Sequence, residues 1–527
     1  MSKRVDYVVV GAGSAGCVVA ARLSETGAKV ILLEAGTNAN QLAVRIPALY
    51  VSLMDTEIDW GYRTSPQPEL NNRRIFLSRG RGLGGTSLMN AMVYMRGNRG
   101  DYDHWRDLGN TDWGYDDVLP LFKRSERNES FGEPFHGTSG SLSVTHLKFR
   151  SPLTDLFMEA CEATQLRRND DVNGESQEGY GCFQMTADRH GRCSTDRAFL
   201  DPVRSRSNLE IVTNAFATRL LVEGAMVRGV EYYSGSKVDQ LYPDGEVILC
   251  GGAINSPQLL MLSGIGPADH LRSLGIEVKH DLPGVGKNLQ DHLLAGYRCE
   301  VSKPLSTFGM TDAAAQTATQ EFLKNGTGPF ATNFLEAGIF LRCDSRSTFP
   351  DVQVHFESDF GADLLDGTLT DRHGFAFYPN VARPKSRGEL RLRTGNPLDK
   401  PEIDPRYLSD SADLDLTVDA LIKCRSIGEA EPFKRVGAKE IWPGPAAKTR
   451  PQIAEHVRRT ANTVWHPAGT CKMGRDELAV VDPALRVRGL EGLRVADASI
   501  MPTIVSGNTN APCIMIGEKA ADLVLGR

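Results

Sequence analysis

An apolar run rich in β-branched residues, Val5 to Val10, opens the chain and reads as a strand buried on both faces. Gly11-Ala12-Gly13-Ser14-Ala15-Gly16 follows at once. From Cys17 to Thr26 the pattern turns helical. Val18, Val19, Ala21 and Leu23 offer an apolar face, and Gly27 supplies the stop. Val30 to Leu33 is a second apolar run, and it ends at Glu34. Strand, glycine turn, helix and strand within about 30 residues predict a βαβ unit. At the far end, Cys513, Ile516, Ala520 and Val524 recur at helical spacing and predict a helix over 511–524.

The middle of the chain is patterned differently. Residues 146–204 and 301–455 lack long helical periodicity. Gln353-Val354-His355-Phe356 and Glu389-Leu390-Arg391-Leu392 alternate and read as half-exposed strands. A second, mainly β domain is expected there. Lys3 and Arg4 before the uncharged stretch from Tyr7 to Ala21 superficially suggest a signal peptide. Asp6 interrupts that pattern, and the stretch is too short for the ~20 residues a bilayer span needs. No transmembrane segment is expected.

Composition narrows the classes. The net charge of −6 over 527 residues argues against a nucleic-acid binder, which needs a basic face. With 41% hydrophobic and 24% charged residues the chain is ordinary globular protein. Its ten cysteines include no C-x-x-C pair, so no metal site is expected. They are also too sparse for a disulfide scaffold, which points to reduced thiols and a cytoplasmic setting.

The chemistry begins at Gly11, Gly13 and Gly16, a G-x-G-x-x-G that follows a predicted strand, opens a helix and precedes an acidic strand end at Glu34. That context is a dinucleotide fingerprint. Gly11 permits the tight turn, Gly13 lets backbone approach a pyrophosphate, and Gly16 lets helix and strand pack. The helix N-terminus stabilises phosphate charge, and Glu34 is placed to accept from ribose hydroxyls. The fingerprint alone does not separate FAD from NAD.

Three further clusters carry a resemblance. Gly80-Arg81-Gly82-Leu83-Gly84-Gly85-Thr86-Ser87 leads into Leu88-Met89-Asn90-Ala91-Met92-Val93-Tyr94, and Gly252-Ala253-Ile254-Asn255-Ser256-Pro257 into Gly264-Ile265-Gly266. The C-terminal part has Trp465-His466-Pro467-Ala468-Gly469-Thr470, Arg494-Val495-Ala496-Asp497-Ala498-Ser499 and Gly507-Asn508-Thr509-Asn510-Ala511-Pro512. In this order and over the whole chain they resemble the glucose–methanol–choline (GMC) family of flavoprotein oxidoreductases, bacterial alcohol and choline dehydrogenases most of all.

The resemblance implies an α/β fold, with a Rossmann-like FAD-binding domain from 1–145, 205–300 and 460–527. A mainly β (α+β) substrate-binding domain would come from 146–204 and 301–459. It implies FAD contacts from Gly11, Gly13, Ser14, Ala15, Gly16, Glu34 and Ala35. Gly82, Gly84, Gly85 and Thr86 would form a loop around the cofactor, and Asn90, Ala91, Met92 and Val93 would pass beside the flavin ring. Ala217, Trp465, Asp497, Ala498, Asn508 and Thr509 complete the expected set, while 252–266 reads as scaffold. Some members attach FAD through a histidine where this chain has Met89, so noncovalent FAD is expected.

The implied reaction is oxidation of a primary alcohol, with hydride passing to flavin N5. His466 is the expected base, since neutral imidazole suits proton abstraction. Asn510 is the expected partner holding the substrate oxygen, and its helix start would stabilise reduced flavin. Asp291-His292 reads as a structural or flavin-adjacent pair, and Trp60 as a wall or core residue. The expected partners are a small-molecule alcohol and, as electron acceptor, oxygen or a quinone, the protein being cytoplasmic or membrane-peripheral. Val464 beside His466 would leave room for oxygen. A non-redox lyase or a light-driven fatty-acid decarboxylase on the same scaffold is the competing reading. Choline would need an anionic or aromatic cage. Glu336 is one anion in reach of that role, although a solvated or ion-paired carboxylate is its plainer reading.

Overall fold

β1 (Tyr7–Val10), β2 (Val30–Leu33), β3 (Leu209–Val212), β4 (Glu246–Leu249) and β5 (Leu493–Val495) form one sheet in the spatial order β3-β2-β1-β4-β5. Each neighbouring pair is parallel. The computed structural model describes residues 5–146, 148–360 and 372–527. Val8, Val9, Leu32 and Ile248 are almost wholly excluded from solvent. That is why the strands are continuously apolar rather than alternating. The chain leaves β1 through α1 (Ser14–Ser24) and β4 through α2 (Gly252–Leu262), and it ends in α3 (Asn510–Leu525), which packs on α1. Strand order reverses at β1, between β2 and β4. In such sheets the crevice outside the strand ends at the reversal is where ligands bind.

A second sheet of eight strands stands beside the first. Its main path runs Lys439–Trp442, Tyr297–Glu300, Gly374–Val381, Val352–Glu357, Ala337–Leu341, Gly179–Cys182, antiparallel throughout. Leu293–Leu294 and Asn462–Thr463 pair onto it. One face packs against helices Pro152–Ala163 and Ser411–Gly428 through a cluster that includes Phe157, Phe356, Phe377 and Val418. Phe157 and Phe356 stack with ring centroids 4.4 Å apart. The opposite face presents the cross-strand pair His355 and Tyr378, and beside it Gln353 and Asn380.

Three expectations change here. Val352–Glu357 is buried at every position, not half-exposed, because its polar face turns toward the other domain rather than toward water. The region 301–455 holds the helices Asp312–Asn325, Ser411–Gly428 and Arg450–Thr460, so the second unit is α+β with more helix than its patterning suggests. The expected boundaries also shift. Leu293–Leu294, Tyr297–Glu300 and Asn462–Thr463 join the antiparallel sheet. Phe199, Leu200, Leu390 and Ile403 bury into the first core instead. An apolar residue must be buried, but its type does not say in which of two cores.

Candidate active site

The turn after β1 is shaped by contacts that exclude a side chain. Gly11 has φ +100, and a Cβ there would lie 2.6 Å from the Cys250 carbonyl oxygen. A Cβ on Gly16 would lie 1.9 Å from the Gly11 carbonyl oxygen, so α1 sits directly on the turn. Gly13 has no such neighbour nearer than 3.9 Å, and its backbone borders a cleft of about 1120 Å³. Gly11, Ser14, Ala15, Glu34, Ala35, Gly85, Thr86, Ala217, Asp497 and Ala498 line the same cleft, as does Trp60. The sequence-predicted Gly16, Gly82 and Gly84 stand behind it. A Cβ on Gly82 would press on the Thr37 carbonyl at 2.9 Å, and one on Gly84 on the Asp196 carboxylate at 2.6 Å, so they shape the loop by packing. The N-terminal turn of α2, from Gly251 to Ser256, also borders the cleft, so 252–266 is more than scaffold.

Glu34 is buried and already engaged. Its Oε2 accepts from the Ala12 N–H at 2.9 Å and its Oε1 from the Gly36 N–H at 2.8 Å. Burial pushes its carboxyl above the ordinary range, against the pull of these donors. Asp497 plays the matching part on the other side. It accepts from the Gly252 N–H at 2.8 Å and from Ser256 Oγ at 2.6 Å.

The cleft continues past Ser14, Arg79, Thr86 and Cys513, which it shares with a second chamber of about 990 Å³. Asn90, Ala91, Met92, Val93, Trp465, Asn508 and Thr509 line this chamber, together with His466, Asn510, Val464 and Met89. The loop from Ser87 to Asn90 is held by Arg192. Its Nη1 donates to the Ser87 carbonyl at 3.1 Å, the Asn90 carbonyl at 2.6 Å and Asn90 Oδ1 at 2.9 Å. Trp465 has φ +60, a left-handed conformation that costs a non-glycine residue about 1–3 kcal/mol. Three bonds hold it: Arg79 Nη1 donates to its carbonyl at 2.6 Å, its own N–H donates to Thr463 Oγ1 at 2.7 Å, and its Nε1 donates to the Phe76 carbonyl at 3.3 Å. That turn aims the next residue, His466, into the chamber.

His466 Nε2 lies 3.3 Å from Asn508 Nδ2, and its Nδ1 lies 2.9 Å from His292 Nδ1. Its backbone N–H donates to Asp291 Oδ1 at 2.8 Å. Asp291 Oδ2 accepts from Thr463 Oγ1 and Tyr407 Oη, each at 2.5 Å, while burial raises its carboxyl to about 6. Burial pushes the His466 imidazole well below its ordinary value, and His292, His355 and Arg79 act in the same direction.

Asn510 lines the same chamber as His466. Its Oδ1 accepts from Ser14 Oγ at 2.7 Å, tying the first turn of α3 to the first turn of α1. The contact to His466 Nε2 comes instead from Asn508, which lies just outside the helix, one residue before the N-cap position Thr509. Glu336 is buried and, among the described residues, forms no ion pair. It accepts from the Ser151 N–H, Thr154 Oγ1 and Thr332 Oγ1, and it is not among the chamber's lining residues. Sequence reasoning missed Arg79, Arg192, Gln353 and His355, which lie outside the glycine and histidine motifs.

Residues 5–294 and 384–517 each match the GMC oxidoreductase family. The chain is a GMC oxidoreductase. This GMC protein is 41% identical to an alcohol dehydrogenase (acceptor) of Pseudomonas putida, over 99% of this chain and 95% of the relative. It is 42% identical to an oxygen-dependent choline dehydrogenase of Pectobacterium atrosepticum, again over 99% of this chain and 95% of the relative. Among solved structures it resembles pyridoxine 4-oxidase from Mesorbium loti, with a TM-score of 0.90 and 32% identity, covering 99% of this chain and 100% of the other. FAD fits the GMC cleft on the chain's own chemistry. The N-termini of α1 and α3 carry no acidic residue in the first turn and no side-chain cap. Their free N–H groups and positive dipole ends therefore face cavities with room for an anionic dinucleotide.

Proposed function

We propose that this chain oxidises a primary alcohol to an aldehyde with noncovalently bound FAD. The observation that carries the reading is the pairing of His466 Nε2 with Asn508 Nδ2 at 3.3 Å, in a chamber continuous with the dinucleotide cleft. An amide N–H only donates, and an unprotonated imidazole nitrogen only accepts. A hydroxyl group needs both: its oxygen accepts from Asn508 while its proton goes to His466. The same Asn508 donor stabilises negative charge developing on that oxygen.

FAD, when bound, supplies the hydride acceptor. In the cleft, Glu34, Gly13 and Ser14 would hold its adenosine and pyrophosphate portions, while Asn90 to Val93 and Asn510 would border the flavin. Met89, in the position of the histidine that carries the covalent bond in some members, offers a thioether that forms no such bond. Electrons leave to oxygen or a quinone; of the two relatives, one is named for an unspecified acceptor and the other for oxygen. Among the described residues no helix is long and apolar enough to cross a membrane. Both relatives are named as dehydrogenases and the structural neighbour as an oxidase, which favours redox chemistry over a lyase.

A panel of primary alcohols, mixed anaerobically with the yellow holoprotein, tests the reading. The flavin should bleach with at least one alcohol and recover with oxygen or a quinone. A flavin that stays oxidised with every alcohol would overturn it.

A further inference from the structure

His292 belongs to the Asp291-His292 pair, yet it has no place in the chamber lining. It is 0% exposed and stands behind His466, with the two rings crossing at 85°. Its Nε2 lies 3.0 Å from the Ala382 carbonyl oxygen. A carbonyl only accepts, so that nitrogen bears the proton. Burial holds the imidazole pKa down at about 4, so at neutral pH the ring is uncharged and has one N–H. His292 Nδ1 is therefore a bare lone pair, 2.9 Å from His466 Nδ1. Two nitrogens at that distance need one proton between them, and His466 is the ring that can supply it.

From this geometry we propose that His292 is a positioning residue, fixing His466 in the tautomer that carries its proton on Nδ1 and leaves Nε2 free. The inference rests on the oxidation reading only for its catalytic consequence. A second chain of contacts reaches the same tautomer from the opposite side. Asn508 Oδ1 accepts from Gln353 Nε2 at 3.1 Å, which turns the Asn508 amide nitrogen, a donor, toward His466 Nε2. A donor facing Nε2 requires a bare Nε2. In the other tautomer two lone pairs would oppose each other at His292 and two donors at Asn508. Both buried bonds would then be unmade, which disfavours that tautomer.

The pair also dictates where the abstracted proton rests. The hydroxyl O–H bond breaks as its proton bonds to His466 Nε2, the electron pair staying on the substrate oxygen that faces Asn508, and the Nδ1–H still donates to His292. Beyond His292, the hydrogen-bond partner among the described residues is the Ala382 carbonyl, which takes no proton, so the relay ends there. The arrangement follows the general logic of a base oriented by a third group, here with neutral imidazole as the orienting acceptor.

Two measurements test this. The first is the nitrogen spectrum of FAD-loaded protein labelled with ¹⁵N-histidine, with His466→Gln used to assign the signals. At neutral pH, His466 should show a protonated Nδ1 and a bare Nε2; the reverse assignment overturns the proposal. The second is anaerobic flavin reduction by His292→Leu and His292→Asn, extrapolated to saturating alcohol. His292→Leu removes the acceptor and should lower the limiting rate by roughly 10–10²-fold, with little change in alcohol affinity. His292→Asn places an amide oxygen where Nδ1 stood and should recover most of that loss. A wild-type limiting rate in His292→Leu, or an equal loss in both variants, would contradict the tautomer role. If neither variant folds, the wild-type nitrogen spectrum decides. If no alcohol bleaches the flavin, the oxidation reading fails, while the spectrum still reads the tautomer.

Discussion

Asn508 and Asn510 are two positions apart, and their surroundings divide the work between them. Asn508 faces His466, whereas Asn510 bonds Ser14 where the two helices meet. Asn508→Ala should slow anaerobic flavin reduction by about 10-fold or more, since one such hydrogen bond is worth ~1–3 kcal/mol. Asn510→Ala should act first on cofactor retention, measured as FAD released on dilution. An Asn510→Ala variant that keeps its FAD and loses more rate than Asn508→Ala would reverse the assignment. The glycine fingerprint and His466 were legible in the sequence because each sits in a long motif. The contact of Asn508 with His466 was not, since it depends on where a helix begins within a single turn. The pH dependence also belongs to this scale. A free His466 would titrate near ~6.5, but burial pushes it well below that. Lowering the pKa leaves the base form populated through neutral pH and empties it only in acid. The limiting rate of flavin reduction should therefore be flat from pH 7 upward and fall well below 6.5. A rise centred at or above 6.5 in stopped-flow traces would contradict the buried, neutral base.

Two helix N-termini and one strand face build the site. α1 and α3 bring uncapped first turns to the junction of cleft and chamber, and the seat of α1 on the turn after β1 depends on Gly16. Gly16→Ala places a methyl 1.9 Å from the Gly11 carbonyl oxygen. Overpacking of this kind costs typically 1–3 kcal/mol, so a lower Tm and a fall in bound FAD per chain are expected together. Unchanged values of both would mean that α1 has slack on the turn. The βαβ unit and the last helix were readable from apolar period alone. Val352–Glu357 was readable as a strand but not as a buried one. Its polar residues Gln353 and His355 look like a solvent face until the other domain is seen to cover them. Helix Ser411–Gly428 escaped because Asp413, Asp415, Asp419, Lys423 and Arg425 break up its apolar stripe of Val418, Leu421 and Cys424.

The whole molecule is two units that together enclose a cofactor cleft and a reaction chamber. The parallel sheet supplies the glycine turn that borders the cleft, and the antiparallel sheet supplies His355 and Tyr378 over the chamber. Neither unit alone encloses His466. It is aimed by the strained Trp465 and pinned from behind by Asp291 and His292. The noncovalent attachment inferred from Met89 is a property of the assembled protein. Acid or heat should therefore release FAD into the supernatant, and yellow colour retained in the precipitate would contradict it. The separated segments of each unit became legible only through motif order, because contacts between distant parts of a chain leave no local period.

The most direct measurement of the central claim is anaerobic flavin reduction in His466→Ala beside the wild type, at full FAD occupancy and saturating alcohol. General base catalysis contributes about 10²–10⁴-fold, so the variant should retain the bound-flavin spectrum and reduce it slower by that factor. Reduction of the variant's flavin at the wild-type rate would contradict the assignment of His466 as the base.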